Sequence, residues 1–407
     1  MRLRERLVQS LDYLAGFLTS PGWDQRAAVQ VAAARLKQGP VSPWVFGFYA
    51  LLVQRASKGE LDAARFEFEG LLDATMAGPP PAFVPVGDPV LTPAHWTVAR
   101  VLFDTDSQRP FLPVSPSDPD TVASVSEIAS ALTLLDRASP AFAAEVKLLL
   151  RTILLGVPAG PTKLEQFNGA STFFLWGATI LNAAIRRGVI GMIDLLVHES
   201  SHLLLFGLVG GNALSTNDPQ ARYTSPLRHD PRPIDGIFHA AFVSTRVTIA
   251  LVALRDCGLV APDDLEDLAY YIARNRGAAE RGMDLLTREL QPTPAGSEVF
   301  DALTAYWQGA DTVPARPALS TAKLGAILLL AVTAAENGIE PTPVRIAAIR
   351  SGGDGIRMAD LDYDSLGWME FCISVELQTG AELTPDLLGQ FDTLADAAAW
   401  IAARAKA

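Results

Sequence analysis

Apolar residues recur every three or four positions through LVQSLDYLAGFL, AAVQVAAARL, WVFGFYALLVQRA and LDAARFEFEGLLDA, all within the first 76 residues. That spacing puts them on one face of a helix, so the segment predicts three or four amphipathic helices. The pattern breaks between residues 78 and 120, where ten of the 28 prolines fall from Pro79 to Pro119. Proline lacks a donor and clashes with the preceding turn, so this density predicts a long ordered loop with short strands and no helix of length. Helical spacing resumes in SEIASALTLLDRA and in FAAEVKLLLRTILLG, whereas TFFLWGATIL fits a buried strand or a helix start equally well. A helix over Val189 to Leu208 follows, then a loop over 210–235 rich in Gly, Asn, Ser, Thr and Pro. Three further helices are expected in GIFHAAFVSTRVTIALVALRDCG, DDLEDLAYYIARNRGAAERGMDLLTREL and SEVFDALTAYWQG. The expected fold is mainly α, a multi-helix domain with few short strands.

At 407 residues, 49% hydrophobic and 19% charged, the chain has the size and composition of an ordinary globular protein of two or three domains. Its two cysteines, Cys257 and Cys372, lie far apart in apolar or helical contexts and support neither a disulfide framework nor a cysteine-rich metal knuckle. The segment MRLRERLVQSLDYLAG mixes charges every few residues and does not read as a signal peptide. The most apolar stretches are short or interrupted by charge, as in GVIGMIDLLVHESSHLLLFGLVGG, so a soluble cytoplasmic protein without a membrane span is expected. The net charge of −12 argues against a nucleic-acid partner, and its distribution says more. Residues 351–400 hold ten acids against one base, Arg357. The C-terminus is therefore a distinct acidic module, which gives expected domains at 1–310 and 321–407 joined by a linker at 311–320 around Pro314 and Pro317.

His198-Glu199-Ser200-Ser201-His202 is an H-E-x-x-H pattern. On a helix, residues four apart share a face at about 5–6 Å between Cβ atoms, so both imidazoles reach one ion while Glu199 points toward an adjacent position. Four of the five histidines, His198, His202, His229 and His239, fall within 42 residues. The flanks are apolar, and burying two imidazoles and a carboxylate without a partner is costly. Catalytic metal sites typically use three protein ligands. His239, at the start of the following helix, is the expected third, with His229 in the loop LRHDPRP as the alternative. Arg246 stands two helical turns after His239 on the same side, placed to clamp a carboxylate through two N–H groups. Arg228 and Arg232 compete for that role, and a plain salt bridge to Asp230 or Asp235 accounts for any of the three equally well.

From Asp360 the chain reads ADLDYDSLGWMEFCISVELQTGAELTPDLLGQFDTLADAAAWI. Asp-Ser-Leu at a helix start, an amphipathic helix to Leu377, a proline turn and a threonine cap resemble an acyl or peptidyl carrier protein over about 45 residues. The resemblance implies a small C-terminal carrier-type helical bundle with 4'-phosphopantetheine on Ser365, and as partners a phosphopantetheinyl transferase and a carrier-loading enzyme. A phosphate there is also favoured by the helix N-terminus. Asp364 or Ser365 acting only as a helix cap is the structural alternative. Asp362 stands where carriers usually have glycine, and residues Asn337 to Gly355 depart from the carrier pattern.

HESSHLLLFGL followed by YTSPLRHDPRPIDGIFHAAFV is similar to the bacterial family described as H-E-x-x-H-motif peptide-modification proteins. Some members are iron(II), 2-oxoglutarate-dependent β-hydroxylases. The resemblance implies that His198, His202 and His239 hold Fe(II), and that an arginine, Arg246 first among the candidates, binds the far carboxylate of 2-oxoglutarate. The substrate would be an amino-acid residue that is peptidyl or carrier-tethered. The residue types alone fit a second reading, a zinc hydrolase with Glu199 as general base toward an amide or thioester. A third has the metal site inactive and the protein acting as a carrier-docking partner.

Overall fold

The computed structural model describes residues 2–20, 22–38, 41–78, 80–104, 112–160, 167–225, 231–309, 321–335, 343–353, 355–361, 363, 365–379, 381 and 383–404. The fold is mainly α with one small sheet, as the apolar periodicity predicts. Two compact units make up the chain: Met1–Gly160, Leu164–Ala213 and Ala253–Val260 form the first, and Pro161–Lys163, Leu214–Val252 and Ala261–Ala407 the second.

The first unit opens with four helices, α1 (Arg2–Leu18), α2 (Arg26–Gln38), α3 (Pro43–Ser57) and α4 (Leu61–Ala77). Their apolar faces meet in a core containing Leu11, Leu18, Trp44, Phe48, Phe68 and Leu71. Next come β1 (Phe83–Pro85), α5 (Pro93–Phe103), β2 (Pro113–Val114), α6 (Asp118–Ala138) and α7 (Pro140–Leu149). The eleven-residue α5 corrects the expectation that no helix of length survives the proline-rich stretch. Pro93 stands at its first turn, where the missing N–H costs nothing, and no proline follows until after the helix ends.

A second correction concerns the run Arg151 to Gly156, expected as part of a helix. Helix α7 stops at Leu149, and β3 (Thr152–Pro158) runs through the sheet, parallel to β1 on one side and to β5 (Ala178–Asn182) on the other. Residues 152–156 are all buried, so this central strand carries no alternation to distinguish it from a buried helix. The segment TFFLWGATIL resolves into a 3-10 turn, Phe173–Leu175, followed by β5. The strand order is β1-β3-β5-β4, with β4 (Gly169–Ser171) antiparallel at the edge and β2 attached to β3. The first unit's last long helix is α8 (Gly188–Val209), which packs against β4, α6 and α7.

The second unit contains most of α9 (Ile234–Cys257), then α10 (Leu265–Glu289) and α11 (Pro294–Gly309). Trp307 of α11 donates its indole N–H to Thr245 Oγ1 at 3.0 Å and so holds α11 to α9. The linker expected at 311–320 lies outside the described residues. Beyond it come α12 (Thr321–Ala335), α13 (Pro343–Arg350), α14 (Ser365–Thr379), α15 (Pro385–Leu388) and α16 (Leu394–Arg404). They share a core of their own, with Leu328, Val332, Ile349, Phe371, Val375, Leu394 and Ile401 at its centre. Thr384 caps α15 by accepting from Leu387 N–H. Thr393 and Asp396 cap α16 reciprocally, each accepting from the other's backbone N–H.

Helices α8 and α9 are long and apolar enough to cross a bilayer by length and composition, but 67% of the qualifying stretch of each is buried within the fold. Their apolar surface is used in packing.

Cys372 lies in the core of the C-terminal bundle, where burial pushes its thiol up to about 12. Almost no thiolate exists at neutral pH, and thiolate is the reactive form. In the native protein at pH 8, Cys372 is expected to resist iodoacetamide and to label fully in denaturant, as peptide mass mapping will show. Rapid native labelling would mean that the bundle opens readily.

Candidate functional site

Helix α8 is the floor of the candidate site, and its ends are fixed by neighbours. Its first turn begins at Gly188 without a side-chain cap of its own. The Glu127 carboxylate of α6 supplies one: Oε1 accepts from the N–H groups of Arg187 and Gly188 at 3.2 and 3.1 Å. An acid at this end also suits the helix dipole. At the other end Gly210 adopts φ 60°, a left-handed conformation that stops the helix and favours glycine. Midway, Trp176 donates its indole N–H to the Leu203 carbonyl at 2.9 Å.

Asp194, His198, His202 and Phe206, each four residues apart, form a half-buried stripe on this otherwise mostly buried helix. The two imidazoles converge, with Nε2 of His198 3.2 Å from Nε2 of His202. Two ring nitrogens this close repel through their lone pairs unless a proton or a cation lies between them. Two imidazole nitrogens at about 2.0–2.1 Å from one ion, with an angle of roughly 90–110° between them, stand about 2.8–3.4 Å apart. The spacing of the pair therefore falls within the range that two ligands of one ion require.

Glu199 faces the sheet. Only 4% exposed, it places Oε2 2.6 Å from Ser171 Oγ on β4. Burial pushes its carboxyl up to about 7, against the lowering effects of the Ser171 contact and of Arg187. Ser171 Oγ donates to Glu199 Oε2 and also lies 3.2 Å from Thr179 Oγ1, which donates to the Ala170 carbonyl at 2.8 Å.

Arg187 braces this corner, donating to the carbonyls of Asn182, Ile185 and Asn168 and so tying the end of β5 to the residue before β4. Gly169 leaves room for the Glu199 carboxyl: a Cβ there would stand 2.8 Å from Glu199 Oε1 and 3.1 Å from Leu181 Cδ2. Sequence reasoning missed Gly169, Ser171 and Thr179. A three-residue strand of small residues carries no period from which to find it.

Of the expected ligands, the structure brings His198 and His202 together. His239 stands on α9 in the second unit, and burial lowers its imidazole to about 4 despite the opposing effect of Asp235. It is therefore neutral at physiological pH, the form that ligates metal. Asp235, His239, Arg246 and Ile249 share the half-buried stripe of α9, whose intervening positions are mostly buried. The Arg246 guanidinium carbon lies 5.9 Å from the Phe242 ring centroid, so the side chain runs back toward the His239 end. Arg232 is half-buried, two residues before α9, and its backbone pairs with Tyr223. His229 and Arg228 lie outside the described residues. Among the described residues, no group of three or more His, Cys, Asp or Glu side chains forms a metal cage. Ser365 is the first residue of α14.

Compared with known proteins, the chain matches no family model and no curated sequence. The site's chemistry thus rests on its own residues.

Ser171→Ala removes the hydroxyl partner of a buried carboxyl and is expected to lower the unfolding free energy by about 1–3 kcal/mol in urea titration. In Gly169→Val the new side chain must displace the Glu199 carboxyl. Activity should then fall further than stability, and unchanged activity would show that Glu199 need not hold its place.

Proposed function

We propose that this chain is a metal-dependent tailoring enzyme that hydroxylates an amino-acid residue of a peptidyl or carrier-tethered substrate, of the Fe(II)/2-oxoglutarate type. The observation that carries the metal is the convergence of His198 and His202 at 3.2 Å on a braced helix. His198 and His202 would hold the ion, and the resemblance implies His239, a neutral imidazole, as the third ligand. Arg246, on the same stripe of α9 as His239, would donate two N–H groups to the far carboxylate of 2-oxoglutarate. A ferrous ion with 2-oxoglutarate supplies oxygen activation for C–H hydroxylation when bound, whereas a zinc ion in the same ligands supplies Lewis-acid activation of water. The chain's own residues position these groups: Ser171 fixes Glu199 at the sheet side of α8, and the apolar flanks exclude water.

One observation favours the zinc hydrolase as a second reading. A carboxyl pushed up to about 7 suits a general base at neutral pH. In the hydroxylase reading the same Glu199, held by the Ser171 hydroxyl, stiffens the floor of the site.

Anaerobic addition of Fe(II) and 2-oxoglutarate to metal-free protein is expected to give a weak visible charge-transfer band, and admitting oxygen to yield succinate. His198→Ala and His202→Ala each lose about 100-fold or more of that turnover. Neither band nor succinate, with full peptide cleavage on zinc, would transfer the assignment to the hydrolase.

The C-terminal bundle supports a carrier role, with 4'-phosphopantetheine on Ser365 at the start of α14, where a phosphate is favoured by free N–H groups and the helix dipole. Incubation with coenzyme A and a phosphopantetheinyl transferase should raise the intact mass by one arm, and Ser365→Ala should abolish the rise. An unmodified wild type would leave the bundle a structural or docking module.

A further inference from the structure

The sheet of the first unit ends at β4, which pairs with β5 on one side only. Opposite residues are Gly169 and Leu181, Ala170 and Ile180, Ser171 and Thr179. Just before the strand, Asn182 N–H donates to the Asn168 carbonyl at 3.0 Å, which makes residues 168 and 182 a hydrogen-bonded pair. Antiparallel ladders alternate, so Ala170 and Ile180 form the next such pair. The main-chain N–H and C=O groups of Gly169 and Ser171 consequently point away from β5. Among the described residues, no main-chain group hydrogen-bonds to these four groups beyond the sheet.

The same two residues turn their side-chain positions toward α8. Ser171 Oγ is 2.6 Å from Glu199 Oε2, and a Cβ on Gly169 would stand 2.8 Å from Glu199 Oε1. The open edge and the motif carboxyl are thus two aspects of one three-residue strand. All three residues of β4 are half-buried, unlike the fully buried β5 beside it.

We propose that the outer edge of β4 binds the main chain of an extended peptide as an added strand, which brings that peptide over the H-E-x-x-H helix. The proposal rests on the metal-dependent reading above and names its substrate class, a peptide rather than a single carrier-tethered aminoacyl group. Two N–H and C=O sets about 6.6–6.8 Å apart along a strand are complemented by another extended main chain. The aminoacyl group of a thioester carries no main-chain amide, so it cannot complement both positions. Gly, Ala and Ser leave the approach open and read no side chain, so the ladder aligns the peptide and leaves residue choice to other contacts.

The test is hydrogen–deuterium exchange at single-amide resolution on the full chain. The probes are an N-acetylated, C-amidated random decapeptide pool and a mixture of aminoacyl N-acetylcysteamine thioesters. The decapeptides are expected to slow exchange at Gly169 and Ser171 about tenfold or more, with Ala170 unchanged and the thioesters without effect. Ser171→Pro removes one outward N–H from an edge position that tolerates proline, and should lose the protection at Gly169. Ser171→Ala keeps that N–H and should retain the protection. If Ser171→Pro does not fold, the wild-type measurement still decides. No slowing at saturating decapeptide overturns the proposal. So does slow exchange of both amides without peptide, whether concentration-independent, as when the chain covers its own edge, or rising with protein concentration, as when a second copy does. The ladder needs no metal, so Co(II) binding measured on the same wild-type protein separates the two ideas. Protection in wild-type protein that binds no metal sinks only the metal reading, and metal binding without protection sinks only this one.

Discussion

Between α8 and β4 a carboxyl sits almost without access to water, and its contact with Ser171 makes that placement tolerable. A buried, unpaired carboxylate would cost several kcal/mol, so the protein must either supply donors or keep Glu199 neutral. It does both, through the Ser171 hydroxyl, which donates to Glu199 Oε2, and a carboxyl pushed up to about 7. Much of the local architecture serves this contact. Strand β4 must lie at the sheet edge against α8, Gly169 leaves room for the carboxyl, and Arg187 must hold the strand's approach to β5. With Glu199 anchored to the sheet, the helix cannot rotate, and the two histidines one and three residues away are presented together.

The legible part of the sequence was the part with a period. The first four helices, the motif helix and the helices α9 to α11 follow from apolar spacing, and the convergence of His198 and His202 is what a four-residue separation on a helix dictates. Where periodicity vanished, reading became unreliable. Residues 152–156 are buried on both faces, so β3 lacked the alternation that marks a strand and was expected as helix. Proline counting failed at α5 because the position of Pro93 mattered more than the local density: at the first turn a proline begins a helix. Ser171 was beyond reach, since its role comes from a partner 28 residues away that only the sheet brings near.

The acidic C-terminus stands out in the sequence for a different reason. Ten acids against one base over residues 351–400 set it apart by charge alone. The folded segment buries a core of its own around Phe371 and Val375. Its short helices are closed by threonine caps at Thr384 and Thr393, local devices that sequence displays directly. The carrier role remains a proposal built on that bundle and on the place of Ser365 at the start of α14. The third ligand and the arginine clamp depend on residues distant in sequence from the motif, where spacing alone gave candidates rather than an answer.

The central claim is that His198 and His202 form one metal site, and titration of the metal-free protein with Co(II) tests it most directly. Cobalt reports its ligands through visible d–d absorption and needs neither substrate nor oxygen. The account predicts a single saturable transition at one ion per chain in the wild type, lost in both His198→Ala and His202→Ala and retained in Ser365→Ala. Wild-type protein that shows no saturable band, or a band that survives removal of both histidines, would contradict it.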